Sequence, residues 1–260
     1  MATLVTFHAH PDDECIACGG VMRKAADEGH RVVLVVATRG EVGEVPEGFL
    51  DEGEQLWQRR VAETNAAAEV LGVARVEFLG YRDSGMAGTE DNDHPGAFAR
   101  ADVEDAARKL ADILIDEKAD VLTVYDDNGG YGHPDHIQVH RVGYRAAELA
   151  GTPRVYESTM NRDQLQAEAR AAAERGEHDW GPPEELEIGK PEAELTAAVD
   201  VRAHLAAKRA AMRAHPSQIA EDSFFLAMPD EAFAIAFGTE FYIRRGAGPG
   251  ITETDLLAGL

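Results

Sequence analysis

The chain has 260 residues, of which 44% are hydrophobic and 28% are charged, and these fractions are typical of folded globular proteins, not of disordered or fibrous ones. Its 48 acidic residues outnumber its 25 basic residues, which gives a formal net charge of -23. Because this negative field repels phosphate groups, we expect neither nucleic acid nor an anionic membrane surface as a partner.

The chain lacks the apolar run of roughly 18–20 residues that crosses a bilayer, and its first residues lack the pattern of a secretory signal peptide. Its two cysteines, Cys15 and Cys18, are too few for a disulfide framework. These features predict a cytoplasmic protein. The Cys-x-x-Cys spacing has no second pair that would complete a four-cysteine zinc site, so we interpret both residues as small buried side chains.

Strand-like and helix-like segments alternate along the first half of the chain. In chain order, the composition predicts a strand at Leu4–Ala9, a helix at Val21–Glu28, a strand at Arg31–Thr38, a helix at Glu52–Leu71, a strand in ARVEFLG, a helix at Ala101–Glu117 and a strand in ADVLTVYD. This alternation indicates an α/β fold with a Rossmann-like, mostly parallel sheet covered by helices on both faces. In open sheets of this type, ligands bind beyond the carboxyl ends of the strands.

The alternation weakens after Pro153. We predict a helix within Arg162–Glu187, a strand at Ala197–Val201, a helix at Ala203–Ala214 and a final strand in EFYIRR. We therefore divide the chain into a catalytic core at residues 1–160 and a smaller C-terminal cap subdomain at residues 161–260, which completes the substrate pocket. The alternative for the second part is an extension packed on the main sheet.

Two loops rich in histidine and aspartate follow predicted strands. The tripeptide His-Pro-Asp occurs at His10–Asp12 and again at His133–Asp135, and no similar sequence flanks the two copies, which argues against duplication. The candidate ligands in these loops are His8, His10, Asp12, Asp13, Glu14, His133, Asp135, His136 and His140. A catalytic zinc site uses three protein ligands of these types and keeps one position open. The sequence therefore predicts one metal site between the two loops.

The first of these loops suits the hydrolysis of an acyl group. Besides a metal, that reaction needs a base for the attacking water and donors for the negative charge that forms on the carbonyl oxygen. In HPDD, the proline fixes the chain between His10 and two carboxylates. One aspartate can then face the metal while its neighbour faces the water.

Four motifs, AHPDDE, YRDSGM, GGYG and GHPDH, resemble those of the zinc-dependent de-N-acetylases of the LmbE/PIG-L type. They are most similar to the actinobacterial branch that contains the mycothiol-biosynthesis deacetylase and the mycothiol S-conjugate amidase. The resemblance covers about residues 1–160. It implies an enzyme that removes the N-acetyl group from a small-molecule glycoside containing N-acetylglucosamine, with zinc, or alternatively iron(II), as its cofactor.

The resemblance also implies roles for individual residues. The family's metal ligands correspond to His10, Asp13 and His136. Its general base corresponds to Asp12, and its other catalytic positions correspond to His133, an acid or oxyanion donor that Asp135 orients, and to Tyr131. Its substrate contacts correspond to Arg60, Asp83 and Met86.

Other interpretations stay open. The run CIACGG stands where we expect the conjugate amidases to carry a lysine, which makes the amidase the less favoured relative. Two histidines and a carboxylate also suit the iron(II) oxygenases, but the alternation of helices and strands does not suit their β-helix fold. A sugar-binding protein without catalysis would not need Asp12 and His133 together. We interpret His94 as a surface residue, whereas for His215 a substrate contact and a plain turn are equally good interpretations.

Overall fold

A computed structural model describes residues 1–174 and 188–260. Within these residues, seven strands form one sheet: β1 Thr3–His8, β2 Arg31–Val36, β3 Arg75–Phe78, β4 Val121–Tyr125, β5 Arg154–Thr159, β6 Ala197–Asp200 and β7 Thr239–Arg244. Their order across the sheet is β3-β2-β1-β4-β5-β7-β6. The first five strands are mutually parallel, whereas β7 pairs antiparallel with both β5 and β6. The predicted α/β class with a mostly parallel sheet is confirmed.

Helices surround this sheet. The described part of the chain contains α1 Asp13–Ala17, α2 Gly19–Asp27, α3 Leu56–Leu71, α4 Val103–Asp116, α5 Gly129–Gly132, α6 Pro134–Ala150, α7 Arg162–Glu174, α8 Leu205–Arg213 and α9 Asp230–Phe237. Short 3-10 helices lie at Glu90–Asp93, Phe98–Arg100, Glu192–Glu194 and Arg202–His204. None of the described helices is both long and apolar enough to cross a membrane.

Apolar side chains cover both faces of the sheet. Successive residues of a strand point to opposite faces, and accordingly Leu4 and Leu34 belong to one core cluster while Val5 and Val33 belong to the other. All four side chains are fully buried. A strand buried on both faces requires continuous apolar sequence, which explains runs such as VVLVV in β2.

The residues after position 160 continue this sheet. The strands predicted at Ala197–Val201 and in EFYIRR are observed as β6 and β7, and the helix predicted at Ala203–Ala214 is observed as α8. The helix predicted within Arg162–Glu187 is observed as α7 up to Glu174, and its remainder lies outside the described residues. The division of the chain at residue 160 stays a prediction.

The topology explains why two distant loops can share one site. Strands β1 and β4 are adjacent and parallel, so their carboxyl ends meet at the same edge of the sheet. The first His-Pro-Asp segment follows β1, and the second follows β4 and begins α6. The edge therefore collects both loops and the amino terminus of a long helix.

Candidate metal centre and active site

The two His-Pro-Asp segments pack against each other at the carboxyl end of the sheet. The ring centroid of His10 lies 4.6 Å from that of His133 and 5.4 Å from that of His136. All three side chains are buried. The structure therefore brings together the histidines that the sequence places in separate loops.

Three side-chain atoms of His10, Asp13 and His136 converge. Asp13 Oδ2 lies 3.4 Å from His10 Nδ1 and 3.4 Å from His136 Nε2. Tetrahedral zinc, with bonds of about 2.0–2.1 Å, separates neighbouring ligand atoms by about 3.3–3.4 Å. Moreover, His136 Nε2 is buried without a hydrogen-bond partner among the described residues, which is unusual for a buried polar atom. These three residues fit a metal ion.

Neighbouring groups of the protein orient the rings of His10 and His136 through their second ring nitrogens. His136 Nδ1 lies 3.2 Å from the carbonyl oxygen of Gly129, to which it can donate. His10 Nε2 lies 3.1 Å from Asp135 Oδ2 and 3.3 Å from Asp83 Oδ1. Imidazoles that bind metals usually donate their second N–H to a carbonyl or a carboxylate, because this fixes the ring and its tautomer.

A second possible set of metal ligands shares His10 and His136 with the first. Ring nitrogens of His10, His133 and His136 also lie within 4.8 Å of one another. However, His133 Nδ1 already accepts a hydrogen bond from the backbone N–H of Asp135 at 3.1 Å, as the N-cap of α6. The Asp13 carboxylate also brings a negative charge that balances a cation. We therefore keep Asp13 as the predicted third ligand.

The side chain of Asp135 has a different partner from the one expected. We expected it to orient His133, but its carboxylate contacts His10 and accepts hydrogen bonds from Ser84 N at 2.9 Å and Ser84 Oγ at 2.5 Å. Its hydrogen bond to His133 comes from the backbone N–H. The reason is the geometry of a helix start, where the cap side chain meets the backbone amides of the first turn.

His133 is an uncharged hydrogen-bond donor at neutral pH. Because Nδ1 accepts a hydrogen bond, the neutral ring carries its proton on Nε2. Burial, with help from the nearby His10 and His136, lowers the pKa of His133 to about 4. Tyr131, whose ring centroid is 6.2 Å from that of His133, is 50% exposed and lies at the rim of the site.

Asp12 has an unusual backbone and an unusual carboxyl group. Its φ of 99° lies in the left-handed region, which residues other than glycine rarely adopt. Burial and the neighbouring Asp13 raise the pKa of the Asp12 carboxyl to about 6, although Arg60 Nη2, 3.4 Å from Oδ2, acts in the opposite direction. A carboxylate with a pKa near the working pH is suited to proton transfer.

The three predicted substrate contacts differ in their surroundings. Arg60 is 3% exposed, and its guanidinium donates to the carbonyl oxygens of Pro11 at 2.6 Å and Gly40 at 3.0 Å. Asp83 is also buried, whereas Met86 is 51% exposed. The first two are therefore engaged with the protein itself, and contact of all three with substrate stays a prediction.

Other histidines of the two loops lie outside this cluster. His8 Nδ1 is 2.9 Å from the hydroxyl of Tyr125, and His140 Nδ1 is 3.0 Å from the carbonyl oxygen of the same tyrosine. Burial lowers the pKa of His8 to about 4. His94 is exposed, as predicted, and accepts a hydrogen bond from the backbone N–H of Gly96.

Sequence reasoning missed one buried pair next to the site. His215 Nε2 lies 2.6 Å from Glu14 Oε1, and both side chains are fully buried. Burial alone would lower the pKa of His215, but the Glu14 carboxylate raises it above its ordinary value. The two interpretations of His215, a plain turn and a substrate contact, did not include this partner.

The chain is similar to known proteins. The family model described as "PIG-L: GlcNAc-PI de-N-acetylase" matches residues 5–147. The chain belongs to this family. It is 43% identical to the 1D-myo-inositol 2-acetamido-2-deoxy-alpha-D-glucopyranoside deacetylase of Acidothermus cellulolyticus, over 99% of this chain and 95% of that protein. The family resemblance inferred from the four motifs is confirmed.

Solved structures of this family's fold carry more than one activity. The N,N'-diacetylchitobiose deacetylase from Pyrococcus horikoshii matches with a TM-score of 0.56 and 24% identity over 85% of this chain and 72% of its own. GalB, the 4-carboxy-2-hydroxymuconate hydratase of Pseudomonas putida, matches with a TM-score of 0.59 and 20% identity over 98% of this chain and 99% of its own. These likenesses show the fold alone, so the reaction must be argued from the site.

Proposed function

We propose that this protein removes the N-acetyl group from an N-acetylglucosaminyl glycoside of the 1D-myo-inositol 2-acetamido-2-deoxy-alpha-D-glucopyranoside type. The observation that carries the proposal is the convergence of His10, Asp13 and His136 beside the carboxyl of Asp12. The substrate class comes from the named activity of the relative that is 43% identical over 99% of this chain.

His10, Asp13 and His136 would hold zinc, with iron(II) as the alternative. When bound, the ion supplies Lewis acidity toward the amide carbonyl and toward a water molecule. In the neutral rings, the hydrogen bonds that the second nitrogens donate to Asp135 and Gly129 leave Nδ1 of His10 and Nε2 of His136 as the unprotonated atoms, available as ligands.

The remaining residues move the proton and hold the charge. Asp12 accepts a proton from the attacking water, and the same carboxyl group then protonates the departing amine. His133 donates its Nε2 proton in a hydrogen bond to the amide oxygen as negative charge builds there, which stabilises the transition state. We expect Tyr131 to assist at the amide carbonyl and Met86 to contact the sugar, and both side chains are about half exposed.

The substitution Asp12→Asn tests the assignment of the base. Asparagine tolerates a left-handed backbone and keeps the size of the side chain, but it cannot accept the proton. We expect acetate release to fall by about 10²–10⁴-fold while one zinc per chain is retained. Asp93→Asn, which changes a carboxylate that is 88% exposed, should leave the rate unchanged.

The measurement pairs acetate release with free-amine release and with metal content. The panel contains the inositol glycoside named above, N,N'-diacetylchitobiose, free N-acetylglucosamine and an S-conjugate amide. An Asp12→Asn protein as active as the wild type would exclude Asp12 as the base. A zinc-loaded wild-type protein that releases acetate from none of these compounds would exclude the proposed function, and cleavage of the S-conjugate alone would make the protein an amidase.

A further inference from the structure

The peptide group between Pro11 and Asp12 is held from both of its sides. Arg60 Nη2 donates to the carbonyl oxygen of Pro11 at 2.6 Å. The backbone N–H of Asp12 donates to Glu14 Oε2 at 2.9 Å. A non-glycine residue at a φ of 99° persists only where its surroundings determine its conformation, and these two contacts do so.

Glu14 is in turn held by a residue from the other end of the chain. Its Oε1 atom lies 2.6 Å from Nε2 of His215, which follows α8, and the two residues are 201 positions apart. Both side chains are 0% exposed. One oxygen of Glu14 thus meets His215 and the other meets Asp12, so the carboxylate joins the C-terminal turn to the loop of the proposed base.

This cluster is a hydrogen-bonded brace and not a second metal site. Glu14, Cys15 and His215 do carry possible ligand atoms within 4.8 Å of one another. However, the 2.6 Å separation between His215 and Glu14 is that of a hydrogen bond, and two ligands of one tetrahedral ion lie about 3.3 Å apart. The thiol of Cys15 is also engaged, because Sγ donates to the carbonyl oxygen of Asp12 at 2.9 Å.

We infer that His215 is a positioning residue for Asp12 and acts through Glu14. The inference rests on the proposed function, in which Asp12 accepts the proton of the attacking water. Without the donor on His215, the Glu14 carboxylate can rotate, and the Asp12 N–H loses its fixed acceptor. Asp12 then relaxes from its strained conformation, and its carboxylate leaves its place beside the metal ligands. Proton transfer is sensitive to this displacement, whereas sugar binding is not.

Three variants separate this role from a general loss of stability. His215→Leu removes the donor, and His215→Gln can return an amide N–H to nearly the position of Nε2. Ser217→Ala is the matched control from the same buried turn. Ser217 donates to Glu63 through Oγ at 2.6 Å and through its backbone N–H at 3.1 Å, so these hydrogen bonds involve neither Asp12 nor Glu14.

The kinetic comparison uses the zinc-loaded full-length protein. We expect His215→Leu to lower kcat by about 10–100-fold, the range that follows the loss of an orienting hydrogen bond around a catalytic site, with KM within about twofold and full zinc content. His215→Gln should recover most of kcat, and Ser217→Ala should keep it. A wild-type kcat in His215→Leu, or an equal loss in Ser217→Ala, would overturn the inference.

A second readout does not depend on turnover. In ¹⁵N-labelled protein, the amide proton of Asp12 reports its hydrogen bond to Glu14, so in His215→Leu it should move upfield and exchange faster with solvent, and in Ser217→Ala it should not change. An unchanged amide in His215→Leu rejects the brace even if the wild type is active. A shifted amide in a protein whose wild type deacetylates none of the panel rejects the proposed function and keeps the brace.

Discussion

Gly129 shows how one residue without a side chain sets the metal site. Its φ is +63°, and a Cβ atom there would lie 2.6 Å from Cβ of His136 and 2.8 Å from the backbone nitrogen of Ile137. Its carbonyl oxygen also faces His136 Nδ1 at 3.2 Å. The turn can therefore approach the first turn of α6, and orient a predicted ligand, only because this residue is glycine.

Gly129→Ala should weaken zinc binding by about 10–100-fold, because the added methyl group displaces His136 and its hydrogen-bond partner. Competition with a chromophoric chelator measures the affinity. Gly151→Ala is the matched control: it also has a positive φ, +70°, and caps the other end of α6, but no atom lies within 4 Å of its added Cβ. Both variants should lose stability, and equal zinc affinity in the two would contradict the role of Gly129.

The predicted ligands and the Glu14–His215 brace differ in how far the sequence could reveal them. His10, Asp13 and His136 stand in compact motifs, and the strand that precedes each motif locates it at one edge of the sheet. The brace has no such local pattern. Its two partners are 201 positions apart, and their contact depends on α8 packing against α1 and α2, which composition alone does not specify.

Helix α1 combines a predicted metal ligand at its start with the two cysteines of the chain. Cys15 lies within the helix and Cys18 follows it, and both are fully buried and free. The interpretation of the pair as small buried residues is confirmed. Burial raises the pKa of the Cys18 thiol to about 11 and raises that of Cys15 well above its usual range.

The native protein should resist alkylation by iodoacetamide at pH 8. Only the thiolate reacts, and a pKa of about 11 leaves about 0.1% of Cys18 in that form. Mass spectrometry should find no added carbamidomethyl group before unfolding and two in guanidinium chloride. As a control, chelation of the metal should not change this result, because neither thiol is a predicted ligand. Rapid modification of the folded protein would show that the helix opens to solvent.

Local composition predicted strands β1–β4 and helices α2–α4, but it missed strand β5, the long helix α6 and the short helices α1, α5 and α9. The continuous apolar runs of β1, β2 and β4 are recognisable as strands from the sequence. In β5, RVYEST, apolar residues are interspersed with polar ones, so the strand is harder to recognise. In α6, Gly143 reads as an interruption. The structure shows that a Cβ atom at this position would lie 2.3 Å from Val124 Cγ1, so the glycine permits close packing of the helix on β4.

At the scale of the whole molecule, C-terminal residues complete the core on one face of the sheet. That cluster joins Leu4 and Leu34 to Val199, Met212 and Tyr242, all of them almost completely buried. Strand β7 also pairs directly with β5. We therefore propose that the chain unfolds as one cooperative unit, whereas the division at residue 160 predicts two units.

The carboxylate of a buried ion pair connects the C-terminal part of the chain to the start of α2. Lys208 Nζ lies 2.6 Å from Glu240 Oε1, and their side chains are 1% and 3% exposed. The Glu240 carboxylate also accepts hydrogen bonds from the backbone N–H groups of Gly20 and Val21, at 2.8 and 2.9 Å. It thereby satisfies amides at the start of α2 that have no partner within the helix.

Lys208→Met should lower the free energy of unfolding by about 3–5 kcal/mol, because Glu240 keeps a buried charge without its cation. Native-state hydrogen exchange, followed by mass spectrometry, then distinguishes one unit from two. In one unit, peptides from β1 and β7 lose protection by the same amount, whereas in two units β1 keeps its wild-type protection.

Asp200→Asn, which breaks the exposed pair with Arg202, is the control and should cost no more than about 1 kcal/mol. An equal loss of protection against exchange at β1 and β7 in Lys208→Met would also bear on Asp12, the proposed base. The turn that carries His215 would then open only when the whole sheet opens, so the conformation of Asp12 would be as stable as the fold.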